Sequence, residues 1–186
     1  MMNTITVKKT KHTKPTIESI TIEHIMETQP DLSYLGEYTD DSTGAIKRYE
    51  HKQSREYQYF KPAQSYASIR KWYHEHGYSK GNCDFYARQQ RQQDFERMES
   101  YEHQNWYMMG IVAKCEVKYS VGNGEYRLEH FTSGGLYGIE SDSEQKYIDD
   151  IEHDQLQDLK AHLQTFNINV KNFGKIDIEH TESCER

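Results

Sequence analysis

Between residues 106 and 119 apolar and polar side chains alternate: Ile111, Ala113, Cys115, Val117 and Tyr119 fall on one face, with Val112, Lys114, Glu116 and Lys118 on the other. A period of two marks a strand with one buried face and one wet face. Asn123-Gly124 follows, a pair that accepts the positive φ of a tight hairpin turn, so Tyr126–Ser133 is predicted to return as the partner strand. Ile20 and Ile22 alternate with Thr21 and Glu23, which predicts a further strand at Ser19–Met26. Residues 30–38 read as a loop leading to a hairpin of Ala45–Glu50 and Glu56–Phe60 that Pro62 ends, and Val170–Ile178 reads as a last strand.

Helical patterns lie between these segments. Ser65 can cap a short helix, Tyr66–His76, closed by Gly77, and a second helix is predicted at Asp84–His103 with a thin stripe of Phe85, Phe95 and Met98. A glycine-rich segment, 133–144, then feeds a long helix that runs to about Phe166, with Ser141 and Glu144 spaced as a capping box and Asn167 as a stop. At about 100° per residue, Ile148, Ile151, Leu156, Leu159, Leu163 and Phe166 share one side, while Asp150, Asp154, Gln157 and Asp158 lie opposite. Glu152 and Gln155 fall inside the apolar arc, so either the helix is loosely buried there or Glu152 has a polar partner beneath it. The fold class is α+β: an antiparallel sheet built around the 106–133 hairpin, extended by residues near 19–26, 45–60 and 170–178, and covered by about three helices. One domain is expected over 17–180, after a basic arm at 1–16 and before a loose tail at 181–186.

Composition sharpens this picture. Leu, Ile, Val and Phe supply only 32 of the 186 residues, which would place the chain near disorder were it not for 15 Tyr, 6 Phe and 2 Trp able to fill a core. No apolar run reaches the roughly 20 residues that span a bilayer, and the N-terminus has no apolar block, so no membrane association and a cytoplasmic location are expected. Cys83, Cys115 and Cys184 lack ligand-like spacing and read as unpaired thiols of a reducing compartment. The net charge of −7 argues against wholesale neutralisation of phosphates. That charge is polarised: Lys8, Lys9, Lys11 and Lys14 precede any acid, whereas residues 137–186 hold 12 acids against 5 bases.

Candidate chemistry is sparse. The glycine-rich segment feeds a helix but lacks a Lys-Ser/Thr pair and carries Glu140, Asp142 and Glu144, which would repel a phosphate. Those acids offer oxygen ligands for a divalent cation without the spacing of an EF-hand loop. His74 and His76 point apart on a helix, and a Cys83–His pair has no motif around it. Neither a cofactor nor a metal is expected. The concentrated signal is acidic: Glu140, Asp142, Asp149, Asp150, Asp154 and Asp158 are the candidate partner-binding residues, able to imitate phosphates before a basic groove. A plainly solvated helix would show the same acids, favoured near its N-terminus by the dipole.

The segments 30–38 (Pro-Asp-Leu-Ser-Tyr-Leu-Gly-Glu-Tyr), 106–113 (Trp-Tyr-Met-Met-Gly-Ile-Val-Ala) and 133–143 (Ser-Gly-Gly-Leu-Tyr-Gly-Ile-Glu-Ser-Asp-Ser) resemble a set found in small uncharacterised proteins of bacteriophages, prophages and plasmids. The resemblance covers about residues 30–166 and carries no catalytic or binding residues with it. It implies a setting in which small acidic accessory proteins, anti-CRISPR proteins among them, block a host defence nuclease by filling its nucleic-acid groove. The expected function is therefore stoichiometric inhibition of a host nucleic-acid-binding complex in the bacterial cytoplasm. Two alternatives stand beside it: a metal-dependent hydrolase or nuclease using the 140–144 acids, and a nucleic-acid-associated accessory protein using the basic arm and Arg88, Arg91 and Arg97.

Overall fold

The computed structural model describes residues 14–48 and 57–184. Its elements run β1 (Thr16–Met26), β2 (Gly36–Thr39), β3 (Ile46–Lys47), β4 (Tyr59–Pro62), α1 (Tyr66–Glu75), α2 (Lys80–Glu102), β5 (Met108–Gly122), β6 (Glu125–Thr132), β7 (Leu136–Glu140), α3 (Gln145–Thr165), a 3-10 turn (Phe173–Lys175) and β8 (Ile178–Cys184). The fold is α+β. The chain divides into two compact units: one combines the segment up to Thr28 with Met108 onward, and the other is Gln29–Tyr107.

The first unit holds a sheet in the order β6-β5-β1-β8, with β7 also paired to β5. The predicted 106–133 hairpin forms as β5 and β6, with β5 inside the sheet and β6 at its edge. Asn123 (φ 52°) and Gly124 (φ 82°) make the turn in the left-handed conformation foreseen for this pair. A Cβ at Gly124 would touch nothing within 4 Å, so Gly124→Val tests backbone strain alone. A loss of about 1 kcal/mol or more is expected in thermal unfolding.

Alternation on β1 and β5 sorts the two faces of this sheet. Ile20, Ile22, Ala113, Cys115 and Val117 are buried toward α3, whose Leu159 and Leu163 are fully enclosed. The opposite face is polar, and there Glu23 meets Lys114. The Lys114 hydrogen bond, helped by one from Ser183, holds the Glu23 carboxyl below its ordinary 4.5 against the opposing effect of burial. A folded-state pKa below the unfolded one stabilises the protein above about pH 4.5 and loses that contribution as pH falls through the folded value. Glu23→Gln is accordingly expected to show a shallower fall in Tm between about pH 5 and pH 3 than the parent chain.

Three expectations about this unit are corrected: the strand at Val170–Ile178, the loose tail and the wholly antiparallel sheet. The glycine-rich segment that feeds α3 also holds a strand that was not expected, since residues 136–140 form β7, antiparallel to β5 through Met108↔Glu140 and Met109↔Ile139. Val170–Ile178 is not a strand: its centre is the 3-10 turn, and the last strand lies further on as β8, running through the expected loose tail as far as Cys184. β8 also makes the sheet mixed, since it runs parallel to β1 from Ile20↔Ile178 to Met26↔Cys184. The return through β7 and α3 supplies the long crossover that a parallel neighbour needs. The expected basic arm lies outside the described residues up to position 13, and Thr16 already belongs to β1.

In the second unit, β2, β4 and β3 form a separate three-stranded sheet, so residues near 45–60 do not extend the main one. The predicted hairpin survives as the pairing Ile46↔Phe60 and Lys47↔Tyr59, with residues 49–56 outside the described ones. Phe60 is fully buried, with the rings of Tyr38 and Phe95 at 5.6 and 5.7 Å. Helix α1 starts at its predicted cap, Ser65, whose hydroxyl accepts from the Ser68 N–H. Helix α2 begins at Lys80 rather than Asp84, because Ser79 caps it by accepting from the Asn82 N–H. Trp106 is buried here rather than opening β5, and its indole N–H donates to the Arg97 carbonyl.

Candidate functional site

Helix α3 carries most of the expected partner-binding acids. Ile148, Ile151, Leu159 and Leu163 are buried against the sheet. This fixes the rotation of the helix and leaves Asp149, Asp150 and Asp154 exposed. Asp149 accepts from the Gln145 amide at 2.8 Å, a one-turn contact on the solvent side. Glu140 is off the helix, half-buried at the end of β7, and Asp142 lies exposed in the turn that follows. The predicted capping box is not formed: the helix starts after Glu144, with no side-chain cap, and Ser141 stays in the turn closed by Ser143 N–H to Glu140 O.

Asp158 has another role. Its Oδ2 accepts the Gly134 N–H at 2.7 Å, and one turn earlier Gln155 Oε1 accepts the Gly135 N–H at 3.0 Å. The N–H groups that might have cradled a phosphate thus bind the glycine-rich segment to α3. Asp158 does not belong with the unencumbered acids, as the helical wheel alone had placed it.

Of the two readings left open for Glu152, the carboxylate inside the apolar arc, the structure has the one with polar partners. Its Oε1 lies 2.8 Å from Nε2 of His24 on β1, and its Oε2 lies 3.2 Å from Nε2 of His180 on β8. A carboxylate only accepts, so both rings carry their proton on Nε2 in these bonds. One side chain thereby ties the helix to two neighbouring strands. Glu152→Ala removes the acceptor for both, and a loss of about 1–3 kcal/mol is expected in urea denaturation, with faster amide exchange along β8 than elsewhere in the sheet.

Elsewhere the chemistry is structural. Among the described residues no group of three or more His, Cys, Asp or Glu side chains is placed to hold a metal ion. Cys83 and Cys115 are buried and Cys184 is exposed, all as free thiols. Burial pushes the Cys115 thiol up to about 11, and Cys83 lies against the Tyr78 carbonyl rather than an imidazole. Of the three arginines considered for phosphate contact, Arg91 donates to the Gly44 carbonyl and Arg97 lies 3.7 Å over the Trp106 ring, while Arg88 is exposed. A groove of about 510 Å³ between α1 and α2 is lined by Arg70, Lys71, His74 and Lys80 together with Ala67 and Cys83. Its Arg70 is held by Asp84 at 2.6 Å.

No protein-family model matches the chain, and neither a curated protein nor a solved structure is significantly similar to it. No helix in the described residues is long and apolar enough to cross a membrane.

Proposed function

We propose that this chain is a binding protein that works by occupancy, docking the acidic outer face of α3 on a basic surface and thereby inhibiting, one-to-one, a nucleic-acid-processing complex of a bacterial host. The observation that supports this reading is the division of labour along α3. Asp149, Asp150 and Asp154 are exposed, while Ile148, Ile151, Leu159 and Leu163 hold the helix in place. The acids can meet a partner without disturbing the packing that positions them. A row of carboxylates on a rigid helix presents negative charge at intervals, as a phosphate backbone does, and raises association rates with a basic groove.

The test is a triple charge reversal, Asp149→Lys, Asp150→Lys and Asp154→Lys, in the full chain, with Asp158 left intact for the glycine-rich segment. The partner is first captured from a bacterial lysate, and affinity is then measured against the purified complex at several salt concentrations. The variant is expected to keep the parent circular dichroism and melting transition while binding at least about a hundredfold more weakly, with the salt dependence of the parent lost. Inhibition by the parent chain is expected to titrate to one equivalent and to be indifferent to chelator. A folded variant that binds with undiminished affinity overturns the proposal.

A further inference from the structure

We infer that β6 is a self-pairing edge, through which two copies of this chain join their sheets antiparallel about a two-fold axis at Leu128. The argument begins with backbone groups. β6 pairs with β5 on one side, and among the described residues no strand lies on the other. The Ser133 N–H donates to the Ala113 carbonyl, at the end of a ladder that stays in regular register from Lys114↔Thr132 to Ser120↔Tyr126. Donors alternate along an antiparallel strand, so Phe131, Glu129 and Arg127 also point their N–H and C=O groups at β5. The groups of Tyr126, Leu128, His130 and Thr132 point out to the edge. His162 of α3 already takes the Thr132 carbonyl at 3.0 Å. Three outward-facing residues remain, and Leu128 is the middle one.

A two-fold axis through Leu128 uses all three. It sets Leu128 against the partner copy's Leu128, and Tyr126 against the partner's His130 in both directions, so the outward donors and acceptors of each copy meet those of the other. Side chains select the same register. Arg127 comes opposite the partner's Glu129, twice, extending the ion pair that Arg127 and Glu129 form within one chain. Moving the axis one residue either way sets Arg127 against Arg127 or Glu129 against Glu129. On the other face, Leu128 and Tyr126 are 43% and 59% exposed, with Lys118 stacked on the Tyr126 ring, and pairing would cover both.

Protection of the edges is also unequal. Edge strands are ordinarily blunted by proline, lysine, a bulge or like charge. β8 carries exposed Glu179 and Glu182 on a strand without a basic residue but for His180. β6 has neither proline nor lysine, and the irregularity in its pairing falls at its turn end, where the extra residue, Val121 between Ser120 and Gly122, belongs to β5 and leaves Tyr126–Thr132 in regular register.

Sedimentation equilibrium of the full chain from about 1 to about 100 µM is expected to show the mass doubling across that range. Leu128→Lys sets like charges on the axis, and Arg127→Glu sets carboxylate against carboxylate, so each is expected to weaken dimerisation at least about tenfold. The swap of Arg127→Glu with Glu129→Arg restores opposite charges across the axis and is expected to recover most of it. Amide exchange in the parent chain gives a measure independent of any variant: the Leu128 N–H is expected to slow as concentration rises, while the Glu129 N–H, bonded to β5, does not change. A chain monomeric over the whole range overturns the inference, as does a dimer unmoved by Leu128→Lys and Arg127→Glu, or one whose Leu128 N–H exchanges at a concentration-independent rate.

Discussion

Replacing Arg48 by Ala is expected to destabilise the Gln29–Tyr107 unit by about 3 kcal/mol or more, one of the largest losses available from a single polar side chain. The Arg48 side chain is only 8% exposed and its guanidinium reaches Glu99 through both Nε and Nη2 at 2.8 Å. Its plane lies 3.7 Å over the Tyr38 ring, and the Tyr38 hydroxyl donates to the same Glu99 oxygen at 3.1 Å. Burial first, and the Glu99 charge after it, raise the Tyr38 phenol well above its ordinary value, so it remains a donor. Removing the guanidinium takes the opposite charge away from a carboxylate that is largely shielded from water, and breaking one side of a shielded ion pair is the costly case. Arg48→Met with Glu99→Leu removes both charges together and is expected to cost less than Arg48→Ala. Urea denaturation of the singles and the double closes the cycle. A loss below about 1 kcal/mol for Arg48→Ala would mean that water reaches Glu99 readily.

That network was invisible in the sequence for a definite reason. Arg48 and Glu99 are 51 residues apart, in a short strand region and a glutamine-rich helix, and no local periodicity links them. Signals that are local came through well. The β5–β6 hairpin was legible because alternation and turn chemistry sit within one stretch of chain, and Ser65 announced α1 for the same reason. β7 stayed hidden because its five residues, Leu136–Glu140, include Gly138 and follow two further glycines, a composition that reads as a turn. β8 stayed hidden because it pairs in parallel at an exposed edge, where neither a hairpin turn nor an apolar face marks it.

Helix α3 lies between these cases. The helical wheel put Ile148, Ile151, Leu159 and Leu163 on the buried side and Asp150 and Asp154 outside, as the structure has them. It also left two readings open for Glu152, a loosely buried helix or a polar partner beneath it, and could not name His24 and His180, which lie 128 and 28 residues away. Asp158 shows the limit of the wheel: an outward angle does not exclude a bond to a neighbouring loop. The surface offered to a partner is therefore narrower than the list of acids, centred on Asp149, Asp150 and Asp154.

Gly36→Ala is expected to cost about 2–4 kcal/mol, from two sources that a matched control separates. Gly36 has φ 144°, in a region that side chains disfavour, and it pairs with Pro62 where β2 meets β4. A Cβ there would stand 2.3 Å from the Lys61 carbonyl oxygen, 2.7 Å from the Phe60 ring and 2.8 Å from the Pro62 Cα. None of these can easily yield. The carbonyl and the Cα are backbone, and Phe60 is fully buried between the rings of Tyr38 and Phe95. Relief would have to come from β2 drawing away from β4, at the cost of the pairing and of the cover over Phe60. Gly44 provides the control, since its φ of 65° is also disfavoured while a Cβ there meets nothing within 4 Å. Gly44→Ala is expected to lose about 1 kcal/mol from backbone strain alone. Urea denaturation should therefore give Gly36→Ala at least twice the loss of Gly44→Ala, and equal losses would mean that β2 and β4 do not approach this closely in solution.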